Sequence, residues 1–200
     1  MKIYLFNKNG SIAMCSFMIS IILITVLVST LTVFMHDYYA VQSSMDSIRA
    51  YYLAEIATEK ALYEIKGTTD SIITKYLTKL KEYKIHYINN IIKGDNIEEY
   101  KPPELDEYLK ELVESSSCIT ENNPFSNYLC DHFYTANITY DLANKKIDIV
   151  SKGVYNGARK FIHATIRFPI VCDDGIDEYN MPMKKVIPLQ LESYYQTIGQ

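Results

Sequence analysis

Ser11-Ile12-Ala13-Met14-Cys15-Ser16-Phe17-Met18-Ile19-Ser20-Ile21-Ile22-Leu23-Ile24-Thr25-Val26-Leu27-Val28-Ser29-Thr30-Leu31-Thr32-Val33-Phe34-Met35 decides the fold. These twenty-five consecutive residues include no Asp, Glu, Lys, Arg or His, and no Pro or Gly. As a helix they span roughly 37 Å, enough to cross a hydrocarbon core about 30 Å thick. Ahead of them lies the decapeptide Met1–Gly10, whose only charges are Lys2 and Lys8. Basic residues stay on the cytoplasmic side, which puts the short N-terminal side in and the C-terminal bulk out. The run is too long for the h-region of a cleaved secretory signal, and no small-residue site of the A-x-A kind follows it.

The helical signal continues past Met35 without a turn. Met45, Ile48, Tyr52 and Ile56 recur at helical spacing, as do Ala50, Leu53, Ala57 and Ala61, so residues 36–66 read as an amphipathic half packed on a domain. Gly67 is the predicted C-cap, which makes one helix from Ser11 to Lys66 of about 84 Å. Asp70 is the predicted N-cap of a second helix running to Lys93 and ended by Gly94. Pro102-Pro103 breaks the chain before a third helix over Glu104–Ser115, and Ser115–Asn127 reads as a loop.

From Phe133 the period becomes two. Strands are predicted over 133–142, 146–154 and 158–168, with Ala143-Asn144-Lys145 as the first turn and Asn156-Gly157 as a type I′ hairpin. The tail from Asp173 reads as mostly irregular, with a short edge strand near Val186–Leu191. The fold class is therefore α+β: a long N-terminal helix, further helices, and a C-terminal antiparallel three-stranded meander. The expected organisation is a leader at 1–10, a membrane half at 11–35, an amphipathic half at 36–66, and an extracytoplasmic domain at 67–200.

Composition narrows the function. Two hundred residues with 48% hydrophobic content fit one modest domain beside the span. A formal charge of −4 argues against a nucleic-acid partner held through phosphates. Trp is absent and Tyr numbers 18, which points to Tyr-rich packing. Cys15 lies in the apolar run, the Cys118–Cys130 spacing permits a disulfide as well as two free thiols, and Cys172 is left over. His36, His86, His132 and His163 show no metal-ligand spacing, and Ser115-Ser116-Ser117 lacks a nucleophile's setting, so no enzymatic constellation emerges. One acidic cluster, Asp173, Asp174, Asp177 and Glu178, offers oxygens to calcium, with a solvated turn as the alternative.

Three features converge: a short leader ending in Gly10 behind Lys8, an uncharged run beginning at Ser11, and a C-terminal meander. This layout resembles the type IV pilins and the pseudopilins of type II secretion. Lys8-Asn9-Gly10-Ser11 is similar to a prepilin peptidase site. Tyr52-Leu53-Ala54-Glu55-Ile56-Ala57-Thr58-Glu59-Lys60-Ala61-Leu62 is similar to a segment of PilX-like (GspK-like) minor pilins, and Ser151–Gly157 to the hairpin that closes their sheet. The resemblance implies a lollipop-like fold, cleavage between Gly10 and Ser11 by a membrane aspartyl prepilin peptidase, and methylation of the new Ser11 amine. It also implies partners: other major and minor pilins met through the N-terminal helix, and an assembly platform at the inner membrane. The chain would wait in the cytoplasmic membrane and finish in a cell-surface filament, with no catalytic residue and no cofactor.

Most pilins carry Glu as the fifth mature residue, and that position here is Cys15. A thiol cannot pair with a neighbour's amine as a carboxylate does, which points away from an abundant shaft subunit and toward a tip, initiating or rare one. An uncleaved single-pass module carrying an extracellular sensor or binding domain is the competing expectation, with a secretion pseudopilin as the next.

Overall fold

The structure is a computed structural model, and it describes residues 8–93, 100–113, 117–179 and 181–197, giving only the backbone of 8–11, 111 and 113. Most of the leader (1–7), the helix stop expected at Gly94 and the helix end expected at Ser115 lie outside the described residues. The chain divides into two compact units, Met1–Met45 and Asp46–Gln200. The fold is α+β, with the elements α1 (Lys8–Lys93), α2 (Leu105–Val113), β1 (Cys118–Asn122), β2 (His132–Asp141), β3 (Lys146–Tyr155), β4 (Ala158–Arg167), β5 (Ile170–Ile176), β6 (Pro182–Ile187) and β7 (Gln190–Thr197).

Helix α1 corrects the expected break at residue 67. It passes through Gly67 and Asp70 to Lys93 without interruption. The apolar face explains why. Ala50, Ala54, Ala57, Ala61 and Ile65 are buried, and the same three-or-four spacing continues through Thr69, Ile72, Tyr76 and Leu80. A glycine inside a helix costs about 1 kcal/mol relative to alanine, whereas each large aliphatic kept on the core stabilises by about 1.5–3 kcal/mol. Continuation wins. Thr68 and Thr74 donate their hydroxyls to the carbonyls of Glu64 (2.9 Å) and Asp70 (2.8 Å), as helix-interior residues do. A Cβ at Gly67 would meet nothing within 4 Å. Gly67→Ala is therefore expected to raise stability by about 0.5–1 kcal/mol, seen as a higher denaturant midpoint. A fall would mean that the helix needs a break there.

The second unit begins at Asp46, inside the half expected to be amphipathic throughout, and residues 36–45 stay exposed. In this unit Leu105, Leu109 and Leu112 bury one face of α2. The predicted meander forms as β2, β3 and β4, with Ile147 opposite Tyr140 and Ile166. Period two puts Tyr134, Ala136, Ile138, Ile147, Ile149, Ile162, Ala164 and Ile166 on one buried face. Asn156 and Gly157 have φ of 47° and 84°, as a type I′ turn requires.

The sheet is larger than expected. It has five strands in the order β1-β2-β3-β4-β7, beside a separate β5-β6 hairpin. Strand β1 lies in the stretch read as loop, β5 runs into the tail read as mostly irregular, and the edge strand expected near Val186–Leu191 is two strands, the end of β6 and the start of the longer β7, parted at 188–189. β1 and β7 are the sheet edges and are largely exposed, so they lack the apolar alternation that marks a half-buried strand. β5 carries the acidic run, and its pairing with β6 is irregular between Asp173 and Ile176, with Gly175 at φ 94°.

Helix and sheet come into backbone contact at Gly153 of β3. A Cβ placed there would lie 2.1 Å from the Ala50 carbonyl oxygen and 2.4 Å from the Ala54 nitrogen. Ala50, Leu53, Ala54 and Ala57 are fully buried, so a row of small residues lets the helix backbone rest on the strand.

Candidate functional site

The first candidate is the processing segment with the helix behind it. The backbone is already helical at Lys8, so Gly10 and Ser11 lie within α1 rather than in a loop ahead of it. From Ile12 to Met45 every side chain is exposed, including Cys15, a free thiol. This part of α1 is long and apolar enough to cross a membrane. Five of its hydroxyls are internally satisfied: Ser20, Thr25, Ser29, Thr30 and Thr32 each donate to the carbonyl four residues earlier, at 2.8–3.1 Å. That removes the main polar cost of placing them in hydrocarbon.

The second candidate is the set of side chains that fix the packed part of α1 to the sheet. Arg49 Nη1 donates to the Tyr155 hydroxyl (2.9 Å), and its guanidinium lies 4.9 Å from the Tyr155 ring centroid and 5.7 Å from that of Tyr128. Asp46, almost fully buried, lies 3.8 Å from Arg49 and accepts a 2.8 Å bond from Asn156 Nδ2. The hairpin tip is thus tied to the first turns of the packed helix. Burial pushes the Tyr155 phenol above its ordinary range, helped by its bond with Cys130.

A second tie joins Lys60 to Glu121 and Tyr134, which also bond to each other. Glu121 and then Tyr134 hold the Lys60 ammonium above its usual range, and the same contacts, Lys60 first, hold Glu121 below its own. Desolvation, reinforced by Tyr51 and Glu55, pushes Tyr194 up to about 12. None of these partnerships has a sequence motif. They come from strand register, which brings Tyr134 opposite Glu121.

Cys118 and Cys130 are both free thiols, so the bridge left open by their spacing does not form. Cys118 pairs with Asn137 in the middle of β2, whereas Cys130 precedes His132 at the start of that strand. The five-residue offset from His132 to Asn137 is roughly 17 Å, against the 7 Å that a disulfide tolerates between Cα atoms. Cys118 Sγ instead donates to Asn137 Oδ1 at 3.1 Å.

The acidic cluster is split. Asp173 pairs with Lys184 at 2.6 Å and Asp177 with Lys84 at 2.9 Å, while Asp174 and Glu178 stay exposed. The described residues hold no group of three or more metal-ligating side chains. Asp177 has a structural role: its Oδ1 accepts the N–H groups of Met181 (2.9 Å) and Tyr179 (3.0 Å), closing the β5–β6 turn. The Met181 N–H, then Lys84, hold its carboxyl below the ordinary aspartate range. A depressed folded value stabilises above the unfolded pKa and is lost as pH falls through the folded one. Asp177→Asn should therefore lower the melting temperature at neutral pH, and the gap from wild type should close as pH falls below about 4. Melts across pH measure this directly.

The expected site residues thus separate into three places: Gly10, Ser11 and Cys15 near the start of α1, Cys118 beside the middle of β2 with Cys130 ahead of its first residue, and the acidic residues on the β5–β6 hairpin. Comparison of the chain with known proteins finds no matching family model, no matching curated protein and no matching solved structure.

Proposed function

We propose that the chain is a minor prepilin of a type IV pilus-like filament, cut between Gly10 and Ser11 by prepilin peptidase and methylated at Ser11. One observation carries the reading. Ile12–Met45 is an unbroken helix whose every side chain is exposed, and only Ser11 separates it from Gly10. Such a surface suits lipid before assembly and the apolar helices of other pilins afterwards, with van der Waals packing as the drive. Cys15 stands where a shaft subunit would carry a carboxylate, which favours a rare or terminal position. The chain's working parts are then a processing site and a packing surface, its partners the peptidase, other pilins and the assembly platform.

Intact mass and N-terminal sequencing of the full chain, expressed with prepilin peptidase, test this. The mature protein should begin at methylated Ser11, and a chain that still begins at Met1 overturns the proposal. The helical backbone at Lys8, upstream of the cut, favours a second reading. In that reading the chain is an uncleaved single-pass anchor bearing an extracellular binding module, and it retains Met1 under the same conditions.

A further inference from the structure

Past the uncharged run, α1 keeps large apolar side chains on its surface. Tyr38, Val41, Met45, Ile48 and Tyr52 are all exposed. Their spacing is three, four, three, four, the repeat with which one α-helix presents a seam to another. Polar residues fill the turns between them, among them Asp37, Gln42, Ser43, Ser44, Ser47 and Arg49. Between Met35 and Tyr52 only Tyr39 is large, apolar and exposed yet off this spacing, and it stands beside the span, where tyrosines anchor at headgroup level.

The same phase runs back into the span. Ile24, Leu27, Leu31 and Phe34 continue the spacing, while Thr25, Ser29, Thr30 and Thr32 all fall off it. The repeat then covers about four heptads, the length at which it specifies a coiled coil. It stops at Tyr52, because Glu55 and Glu59 take the next two positions.

The sheet does not cover this seam. About 3.6 residues per turn put Ile48 and Tyr52 on the far side of the helix from Ala50, Ala54 and Ala57, which are fully buried. Lipid does not reach it either. Met45, Ile48 and Tyr52 stand roughly 15–25 Å past Met35 along the helix, whereas headgroups add about 5–7 Å to each side of the hydrocarbon core. What fits is a second helix with the same phase at the same height. Another copy of the chain, anchored by the same span, supplies it, each seam residue meeting its own counterpart. The flanking positions permit this: in a parallel pair Asp37 faces Gln42 and Ser44 faces Arg49, so no like charges oppose.

We propose that two copies pair in parallel and in register along the seam from Tyr38 to Tyr52. The seam begins well after Ser11, so cleaved and uncleaved chains both carry it, and the pairing stands or falls independently of processing.

Cysteine scanning of the full chain in membranes, without prepilin peptidase, tests it. The native Cys15, Cys118, Cys130 and Cys172 are first replaced by serine. Tyr38→Cys, Val41→Cys, Met45→Cys and Ile48→Cys should each give a disulfide dimer with itself on mild oxidation. Ala40→Cys and Ser43→Cys, which point away from the seam, should stay monomeric. Met45→Asp should cut dimer capture through Val41→Cys by roughly tenfold or more, whereas Ser43→Asp, the same charge off the seam, should leave it unchanged. The proposal is overturned if Ala40→Cys and Ser43→Cys crosslink as well as the seam positions. It is also overturned if dimers form only between Val41→Cys and Ile48→Cys chains mixed together, which marks a staggered contact. Capture of lipid or another protein, and never a second copy, by a benzophenone at position 45 overturns it too.

Discussion

Gly153→Ala is expected to unfold the domain more effectively than any other change of a single methyl group. The added Cβ would lie 2.1 Å from the Ala50 carbonyl oxygen, 2.4 Å from the Ala54 nitrogen and 2.8 Å from the Leu53 Cβ. Two of the three obstacles are helix backbone, which cannot rotate aside as a side chain does. Relief requires α1 to lift from β3 by about 1 Å, and that opens the contact made by four fully buried residues of the helix. Overpacking a dense core costs about 1–3 kcal/mol where side chains can yield. With backbone on the other side the cost should be about 3 kcal/mol or more. For a chain of this length that lowers the melting temperature by roughly 6–12 °C. Calorimetry or denaturant melts of the full chain in detergent decide it, and an unchanged midpoint would mean that helix and strand do not meet at this point.

Under the proposed processing, Gly10→Phe should leave the chain uncut, with Met1 retained on the entire population. A peptidase that accepts a residue without a side chain ahead of the cut has no room for a phenyl ring there. The uncut chain keeps Lys2 and Lys8, and drawing them into an apolar helix bundle costs about 2.5–3.5 kcal/mol for each charge. The variant should therefore accumulate in the membrane at wild-type level and vanish from material sheared off the cell surface. Blots of the two fractions with N-terminal sequencing read both effects. Normal cutting of the Phe variant, or surface material that begins at Met1, contradicts the assignment of this site.

The parts of this fold legible in the sequence are those where burial imposes a period. Ile147, Ile149, Ile162 and Ile166 alternate because one face of each strand meets the core, and Asn156-Gly157 marks its turn through the positive φ that both residues need. Gly67 misled because local propensity favours a stop there, while the face continuing to Ile72 and Tyr76 outweighs it. β1 escaped notice and β7 was caught only at its start, because an edge strand exposed on much of its surface has no alternation to reveal it. At the candidate sites, Gly10, Ser11 and Cys15 are named through the resemblance alone, since nothing in their own spacing marks them out. Arg49 and Lys60 have no such marker, since their settings depend on Tyr155 and Glu121, residues far along the chain. The missing Cys118–Cys130 bridge has the same cause: spacing along the chain is silent about strand register, which sets Cys118 beside Asn137 and well away from Cys130.

The hairpin tip also sets how the protein ages. Asn-Gly is the dipeptide in which the following backbone nitrogen most readily attacks the side-chain amide, expelling ammonia, because glycine puts nothing in its way. Asn156 and Gly157 are exposed at that turn, and the Asn156 amide is the group bonded to the nearly buried Asp46. Hydrolysis of the cyclic product leaves a carboxylate where a donor stood, within hydrogen-bond reach of a second carboxylate. Like charges at that separation repel, and the attraction that tied the hairpin to the helix changes sign. Stored protein should thus lose its hairpin-to-helix tie with time at neutral and alkaline pH, gaining about one mass unit as it does.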